Sequence, residues 1–519
     1  MSEYFRAMIP PDKYPVRPND IVFRTSYNNC VLLALQRRKW QRTDESDWNI
    51  LWADRDWAEI CDKLKLMPGQ RVNHFRNHTE LTRKDRLAKN LKQYRKALGV
   101  EECPEFFPQT FQLPNEHSIF RTEFQKYPNT LWIMKPASRS QGKGIFLVQS
   151  LGAVSKWVPE NSGQVEPYVI QRYIDRPLLL GGKKFDLRLY LLCTSMSPLK
   201  LFVYRSGFAR LSHQPYTTDD VKNRGVHCTN VAVQKNDEDY GDGTRSKWDV
   251  RSVRLYIQQK FGVQAADKCF ENIIDLMFHS VRAVKDLLNH DPKSFELFGY
   301  DILLDEHLKP WLLEVNAYPS LTASTKEDRD LKVAMLDDAL TIIDMEKVLT
   351  GKETQVGGFD LMYLEPGPII RPSMLGCMND RDTQLKQLSK VALSRLQNKS
   401  PRIPPTVVQS PTVKESATAS YSPSSRHETR SLQSTSASNP FQKPANRLAS
   451  HLQLKPLVVE KKVQVSHSRR ESQEQPLRTL LTKSRSKEEV VSQNARSLLP
   501  DIGVVKQRSL VKSSIIKKQ

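Results

Sequence analysis

Asp301, Glu314 and Asn316 carry oxygen donors within one stretch, FGYDILLDEHLKPWLLEVNAYPSL, Phe298 to Leu321. Two apolar runs, Tyr300 to Leu304 and Trp311 to Val315, flank Asp305, Glu306 and His307, a pattern that predicts a β-hairpin about a short polar turn. Successive strand side chains point to opposite faces, so Glu314 and Asn316 are expected on one side and Leu313 and Val315 on the other. Asp301 lies about as far before the turn as Glu314 lies after it, allowing for a bulge. The three side chains then converge on one sheet face as hard oxygen ligands, the type that Mg²⁺ takes when it is shared with substrate phosphates. The same pattern also describes a surface hairpin whose polar face is merely wet.

Positive charge of the kind a phosphate needs recurs upstream. LWIMKPASRSQGKGIFLVQS, Leu131 to Ser150, predicts strand, loop, strand, with Lys135 leading into a loop that ends Gln141, Gly142, Lys143, Gly144. Glycines let backbone N–H groups approach an anion and lysines add fixed charge, so a nucleotide phosphate cradle competes with an ordinary hairpin loop whose lysines lie in water. Gly-Lys is nowhere followed by Ser or Thr, so this is neither a Walker A loop nor a Rossmann fingerprint. YVIQRYI, Tyr168 to Ile174, is a short β-rich run suited to line a slot for a base. In GGKKFDLRLYLLC, Gly181 to Cys193, alternation puts Lys184, Asp186 and Arg188 on one face and Phe185, Leu187 and Leu189 on the other. That polar face is either a salt-bridge ladder or a second bank of phosphate and ribose contacts. Arg210 stands on the second of two strands in LKLFVYRSGFARL; Thr229 and Asn230 follow in VHCTN, and Lys247 follows a polar loop.

The elements that must hold these residues are legible in outline. Cys30 to Lys39 reads as a short helix, near a cluster of Trp40, Trp48, Trp52 and Trp57. Thr82 is placed to cap a helix through Leu87, Leu91, Tyr94 and Leu98, whose opposite face carries Arg83, Lys84, Arg86, Lys89, Lys92, Arg95 and Lys96. Such a face is either simply solvated or a dock for an acidic partner. His74 and His78, four apart, have no acidic third ligand beside them in the sequence, which disfavours a metal pair. Asp267 to Leu288 and Glu327 to Ile343 read as helices, followed by a Gly-rich bend at 357–362.

At 519 residues the chain has room for two or three domains. Its seven cysteines form no CxxC, which argues against a zinc module and a disulfide scaffold and for a reducing compartment. No apolar run approaches the roughly 20 residues that span a bilayer, and the N-terminus lacks a signal-peptide core, so a soluble, cytosolic protein with no membrane partner is expected. The net charge of +21 is uneven: residues 383–519 hold 25 Lys and Arg against 8 Asp and Glu. A uniformly basic nucleic-acid binder would not concentrate its charge in this way, and no nucleic acid is expected as a partner. From about Gln397 onward Ser, Pro, Thr and Gln dominate, predicting a disordered cationic tail able to cling to an acidic polymer.

Taken in order, WIMKP, QGKGIF, QRYI, KFDLR, HCTN and YDILLD…KPWLLEVN resemble the tubulin tyrosine ligase-like family of ATP-grasp ligases. NHFRNHTELTRKD upstream and LTGK…GGFDLM downstream resemble its polyglutamylase branch, in particular the axonemal part of that branch; the resemblance covers roughly residues 25–380. It implies an α+β, ATP-grasp fold with an N-terminal α/β domain and a long disordered basic C-terminal tail. The implied divisions are a disordered 1–20, an N-terminal α/β domain 21–115, a central lobe 116–200, a C-terminal lobe with the Mg²⁺ site 201–350, a family-specific extension 351–396 and the tail 397–519.

By the same resemblance ATP is contacted by Lys135, Gln141, Gly142, Lys143, Gly144, Gln171, Arg172, Tyr173, Ile174, Lys184, Asp186, Thr229 and Asn230. Mg²⁺ falls to Asp301, Glu314 and Asn316, free L-glutamate to Arg210 and Lys247, and the catalytic roles to Lys135, Arg188 and Glu314. The implied reaction activates a tubulin glutamate side chain with ATP and joins free glutamate to it by an isopeptide bond. Tubulin glycylase and an inactive microtubule-binding scaffold are the competing readings. The implied partners are acidic microtubule tails and, for lattice docking, non-catalytic subunits; the implied location is the cytoskeleton of the cytoplasm, at a cilium axoneme or basal body. Two departures stand out: Cys228 where the family has leucine in HLTN, and Tyr318 where it has serine in NASPSL, the latter expected to add bulk near Asn316.

Overall fold

The computed structural model describes residues 14–154, 167–234, 247–288, 290–371 and 374–398. Nearly all of the expected basic tail therefore lies outside the described residues, as do residues 1–13. The chain is a mixture of helices and three sheets.

The first sheet is parallel, in the order β2-β1-β3-β4, from β1 (Val22–Thr25), β2 (Gln41–Arg42), β3 (Ile50–Trp52) and β4 (Arg71–Val72). Helix α1 (Cys30–Arg37) joins β1 to β2 and is capped by Asn29, whose side chain accepts from the Val31 amide. The four tryptophans divide: Trp40 and Trp52 join a core shared with the largest sheet, and Trp48 and Trp57 close a smaller cluster with Val72. Residues 14–20 are not the unstructured arm expected of them, because Tyr14 buries its ring against Val348, Val356 and Leu385. Nor does Thr82 cap the basic helix. Thr79–Thr82 forms a turn of its own, Arg83 is extended, and helix α2 runs Lys84–Leu98. The Thr82 hydroxyl donates back to the His78 carbonyl, a local bond that competes with capping.

The second sheet is antiparallel, in the order β5-β8-β6-β7: β5 (Thr110–Leu113), β6 (Trp132–Pro136), β7 (Phe146–Val148) and β8 (Tyr168–Arg172). Helix α3 (His117–Lys126) covers it with Phe120 and Phe124, which meet Phe111 and Trp132.

The third sheet has nine strands: β9 (Leu179–Leu180), β10 (Lys183–Met196), β11 (Leu199–Tyr204), β12 (Phe208–Leu211), β13 (Lys247–Asp249), β14 (Glu296–Leu304), β15 (Pro310–Asn316), β16 (Gln355–Val356) and β17 (Phe359–Leu364). Its central strand is β10, which pairs with β12 and β11 on one edge and with β14 on the other. The parity of β10 organises what surrounds it. Phe185, Leu187, Leu189 and Leu191 enter a core with helices α4 (Val250–Phe261) and α5 (Val263–Arg282), while Tyr190 and Leu192 enter the opposite core with α1 and α6 (Lys326–Ile343). Lys184, Asp186 and Arg188 share the parity of Tyr190 and Leu192 but lie nearer the strand's start, so a face that is core at one end is polar at the other.

Sheet membership cuts across the expected divisions: β10, which lies between 183 and 196, belongs to the large sheet with β11 to β17, and β5, before 116, belongs to the second sheet. Residues 357–362 are not only a bend. Gly357, at φ +57°, turns the chain, and β17 then pairs with β11 at the heart of the sheet. The predicted helix over 267–288 begins earlier, at Val263, and ends at Arg282; helix α7 (Arg381–Asn398) was not expected and packs Leu385 and Leu388 beside Tyr14.

Candidate active site

A cleft lies between the second sheet and the polar end of the third. Ile133 and Lys135 reach it from β6, Gln171 from β8, Lys184 and Asp186 from β10, Arg210 from β12, Asp301 and Leu303 from β14, and Glu314 from β15. Residues scattered across the sequence thus share one space.

The lysines there are unusual. Lys135 Nζ donates to Gln171 Oε1 at 2.6 Å, and Gln171 in turn donates to Thr110. Lys184 Nζ donates to the Tyr173 hydroxyl at 2.9 Å and to the His227 carbonyl at 3.0 Å. Both ammonium groups are buried, and these hydrogen-bond partners are neutral. Burial pushes each down to about 8. Glu314 acts on Lys135 and Asp186 on Lys184 without a hydrogen bond, so burial still outweighs their attraction, and an added anion lowers the cost of both charges; the pair suits a bound polyphosphate.

The glycine loop borders the same space. Gln141, Gly142 and Gly144 have φ of +62°, +69° and +74°, and a Cβ at Gly142 would stand 2.7 Å from Val233 Cγ2. Gln141, Gly142 and Ile145 line the cleft, as do Arg172, Tyr173, Ile174, Thr229 and Asn230. Lys143 and Gly144 do not; the Lys143 side chain is exposed.

The hairpin has the expected register, with Asp301 directly opposite Glu314. A bulge follows, because Ile302 pairs with Leu312, and it turns Leu313 into the cleft beside Glu314 instead of away from it. Asp301 is fully engaged: Arg188 Nε and Nη2 donate to its two oxygens at 2.6 and 3.1 Å, and Arg210 Nη2 adds a third bond at 2.6 Å. Burial alone would raise its pKa, but the two guanidiniums overcome that and hold the carboxyl well below the usual range. Arg210 also grips both oxygens of Asp186, at 2.7 and 2.6 Å, and the Thr229 hydroxyl donates to Asp186 at 2.6 Å.

Three further site expectations are displaced. Asn316 does not line the cleft: it pairs opposite Gly299, where Pro319 closes over the sheet, and its amide donates to the Gly299 carbonyl at 3.3 Å. Arg188 stands behind Asp301 rather than in the cleft. Lys247 stands directly across the β12–β13 ladder from Arg210, outside the cleft, donating to Asp328 and Ser324 at 2.9 Å.

Lys84, read from sequence as part of a charged outer face, is instead a cleft residue, 2.9 Å from Glu314 Oε2. The one available signal is the extended Arg83 that turns Lys84 inward, and it is not visible in helical periodicity. His74 and His78 are buried, and the acid missing beside them in sequence is Glu296 of β14, 2.8 Å from His74 Nδ1. Burial pushes His74 down to about 3 and Glu296 up to about 8, so the pair is a neutral hydrogen bond. Tyr318 packs against His74 with its ring tilted by 49° and 4.5 Å between ring centroids, and does not line the cleft. Among the described residues, no group of three or more His, Cys, Asp or Glu is arranged to hold a metal.

Residues 62–355, which contain the whole cleft, match the model of the tubulin-tyrosine ligase family. The chain belongs to the tubulin-tyrosine ligase family. Within this family it is 42% identical to the cattle (Bos taurus) probable tubulin polyglutamylase TTLL9, over 71% of this chain and 92% of that relative. It is 44% identical to the Caenorhabditis elegans probable tubulin polyglutamylase ttll-9, over 68% and 87%, and 41% identical to the Tetrahymena thermophila probable alpha-tubulin polyglutamylase Ttll1, over 66% and 92%. Cys228, the family member's departure from leucine, lines the cleft without disturbing the neighbouring Thr229–Asp186 bond.

Proposed function

We propose that this protein is a tubulin polyglutamylase: an ATP-dependent ligase that joins glutamate to side-chain carboxylates of glutamates in tubulin C-terminal tails. Buried Lys135 and Lys184, with neutral hydrogen-bond partners, facing Asp301 and Glu314 in one cleft, carry this reading. Identity above 40% to named polyglutamylases over nine-tenths of their length supports the same substrate. The arrangement of the second and third sheets about the cleft is read as an ATP-grasp fold.

A carboxylate is a poor electrophile. Its oxygen takes the γ-phosphoryl group of ATP, releasing ADP, and the amine of free glutamate then attacks the acyl carbon, releasing phosphate and closing the isopeptide bond. Lys135, Lys184 and the backbone of the Gln141–Ile145 loop hold the phosphates. Ile133, Leu303, Leu313 and Ile174 supply apolar walls for the base. Asp301 and Glu314, with Asn316 near by, would hold Mg²⁺, and that ion would supply positive charge against the negative charge of the transferring phosphoryl group. Two carboxylates opposite one another fit that ion, provided Asp301 shares its oxygens with the guanidiniums that now hold it. Arg210 and Lys247, neighbours across one ladder, meet the carboxylates of the incoming glutamate. Glycine would leave that second carboxylate position empty, which favours glutamate over glycine transfer. Such an enzyme works on the microtubule cytoskeleton, and its place there is the cilium axoneme or basal body.

Microtubules, ATP and Mg²⁺ supplied with labelled glutamate or glycine in parallel test the assignment, with Glu314→Gln as control. Glutamate label that Glu314→Gln abolishes is expected; label from glycine alone, or equal label with the variant, overturns it.

A further inference from the structure

A second groove runs along the outer part of helix α2. Its floor is apolar: Leu91, Phe106 and Phe111 are buried there, and Val100 stands 66% exposed at one end. Its rim is cationic, from Lys92, Arg95 and Lys96. Lys92 pairs with Glu116 at 3.1 Å, but Arg95 reaches Glu105 only at 3.6 Å, and Arg95 Nε is buried without a hydrogen-bond partner. Lys96 and the neighbouring Lys89 are exposed and in no ion pair among the described residues. The groove continues toward the active site: Pro108 lines both, and α2 begins in the cleft at Lys84. From Lys84 to Lys96 the helix rises roughly 18 Å at 1.5 Å per residue. About five or six extended residues cover that span.

We propose that this groove docks an acidic peptide segment carrying an apolar side chain, namely the tail of the acceptor protein, laid along α2 so that a carboxylate about six residues away enters the cleft. This rests on the ligase reading and adds to it where the acceptor binds. Charge complementarity selects the occupant. The chain's own C-terminal stretch, with 25 Lys and Arg against 8 Asp and Glu in residues 383–519, is repelled by the rim. A nucleic acid would need open aromatic faces for stacking, and Phe106 and Phe111 are only 8% and 4% exposed.

The test uses the full-length protein, a fluorescein-labelled glutamate-rich peptide with one phenylalanine, and fluorescence anisotropy without ATP. Lys89→Glu combined with Lys96→Glu, at exposed positions outside the cleft, is expected to raise the peptide Kd and the KM for microtubules about tenfold, with kcat and the KM for ATP unchanged. Val100→Asp weakens the same binding through the floor, and Glu314→Gln leaves it intact. Unchanged peptide affinity in both groove variants overturns the proposal, as does displacement of the peptide by single-stranded RNA at equal charge. The two readings fail separately: glutamate transfer surviving Glu314→Gln defeats the ligase assignment, whereas unaltered binding in the groove variants with transfer intact defeats only the groove.

Discussion

Lys84, the first residue of α2, and Glu314, on the hairpin's returning strand, meet as a 2.9 Å ion pair at the wall of the cleft. The contact ties the basic helix to the strand that carries the candidate metal ligand. With both side chains partly solvated, it adds at most about 1 kcal/mol to stability, so its value is positional. Lys84→Met should therefore shift Tm little while lowering kcat/KM for ATP by about tenfold or more, through loss of a fixed charge beside the phosphates. Steady-state kinetics alongside a thermal melt separate the two effects. Wild-type kinetics in the variant would remove Lys84 from the site.

Lys135 makes a sharper case, because its burial costs stability. Its folded pKa of about 8 lies below the ordinary lysine value of 10.5, so the unfolded chain binds more protons between those limits and ligand-free stability rises with pH across that window. Below about pH 8 the buried charge destabilises the empty protein. Lys135→Met should raise the ligand-free Tm at pH 7, by an amount equivalent to about 1–3 kcal/mol, while abolishing ATP binding. Melts of both proteins from pH 7 to 10 should converge as the wild-type lysine loses its proton. A variant less stable than wild type at pH 7 contradicts this account.

Asp301 compensates two buried guanidiniums at once. Asp301→Asn leaves Arg188 and Arg210 with too little negative charge and should cost about 3–5 kcal/mol, read as a lowered denaturant midpoint, together with loss of activity. Activity lost without any loss of stability would mean the carboxylate acts on the ligand alone.

Lys247 tests amino-acid selection separately from nucleotide binding. Lys247→Ala should raise the KM for glutamate about tenfold and leave the KM for ATP unchanged. Equal effects on both substrates would count against its role beside Arg210.

Glu296 is set to behave oddly for a carboxylate. Burial raises it from 4.5 to about 8, so the folded protein holds the extra proton between those values and stability falls as pH rises from about 4.5 to about 8. Glu296→Gln keeps the acceptor for the Phe75 amide and a partner for His74. It should match wild type in Tm near pH 4.5 and exceed it at pH 8. Lower stability at both values would show that the carboxylate is ionised in the fold.

Short-period features were legible from residues alone. The alternation that sets Lys184, Asp186 and Arg188 apart from Phe185, Leu187 and Leu189 appears in β10, and the register of Asp301 against Glu314 appears in the hairpin, because strand period and a tight turn are properties of neighbouring residues. The bulge that turns Leu313 inward, the extended Arg83 that redirects Lys84, and the burial of Tyr14 were not legible. Each is imposed by a packing partner far away in the chain.

The sequence by itself determined the residue types of a candidate phosphate and metal site, their order, and the family they belong to, since chemistry and local periodicity are written in adjacent letters. Only the tertiary structure decided which of them meet: that Arg210 is held between Asp186 and Asp301, that Glu296 completes His74, and that a lysine from an outer helix completes the cleft. These contacts join segments from 24 to more than 200 residues apart, and such contacts are set by how sheets and helices bury their apolar faces against one another.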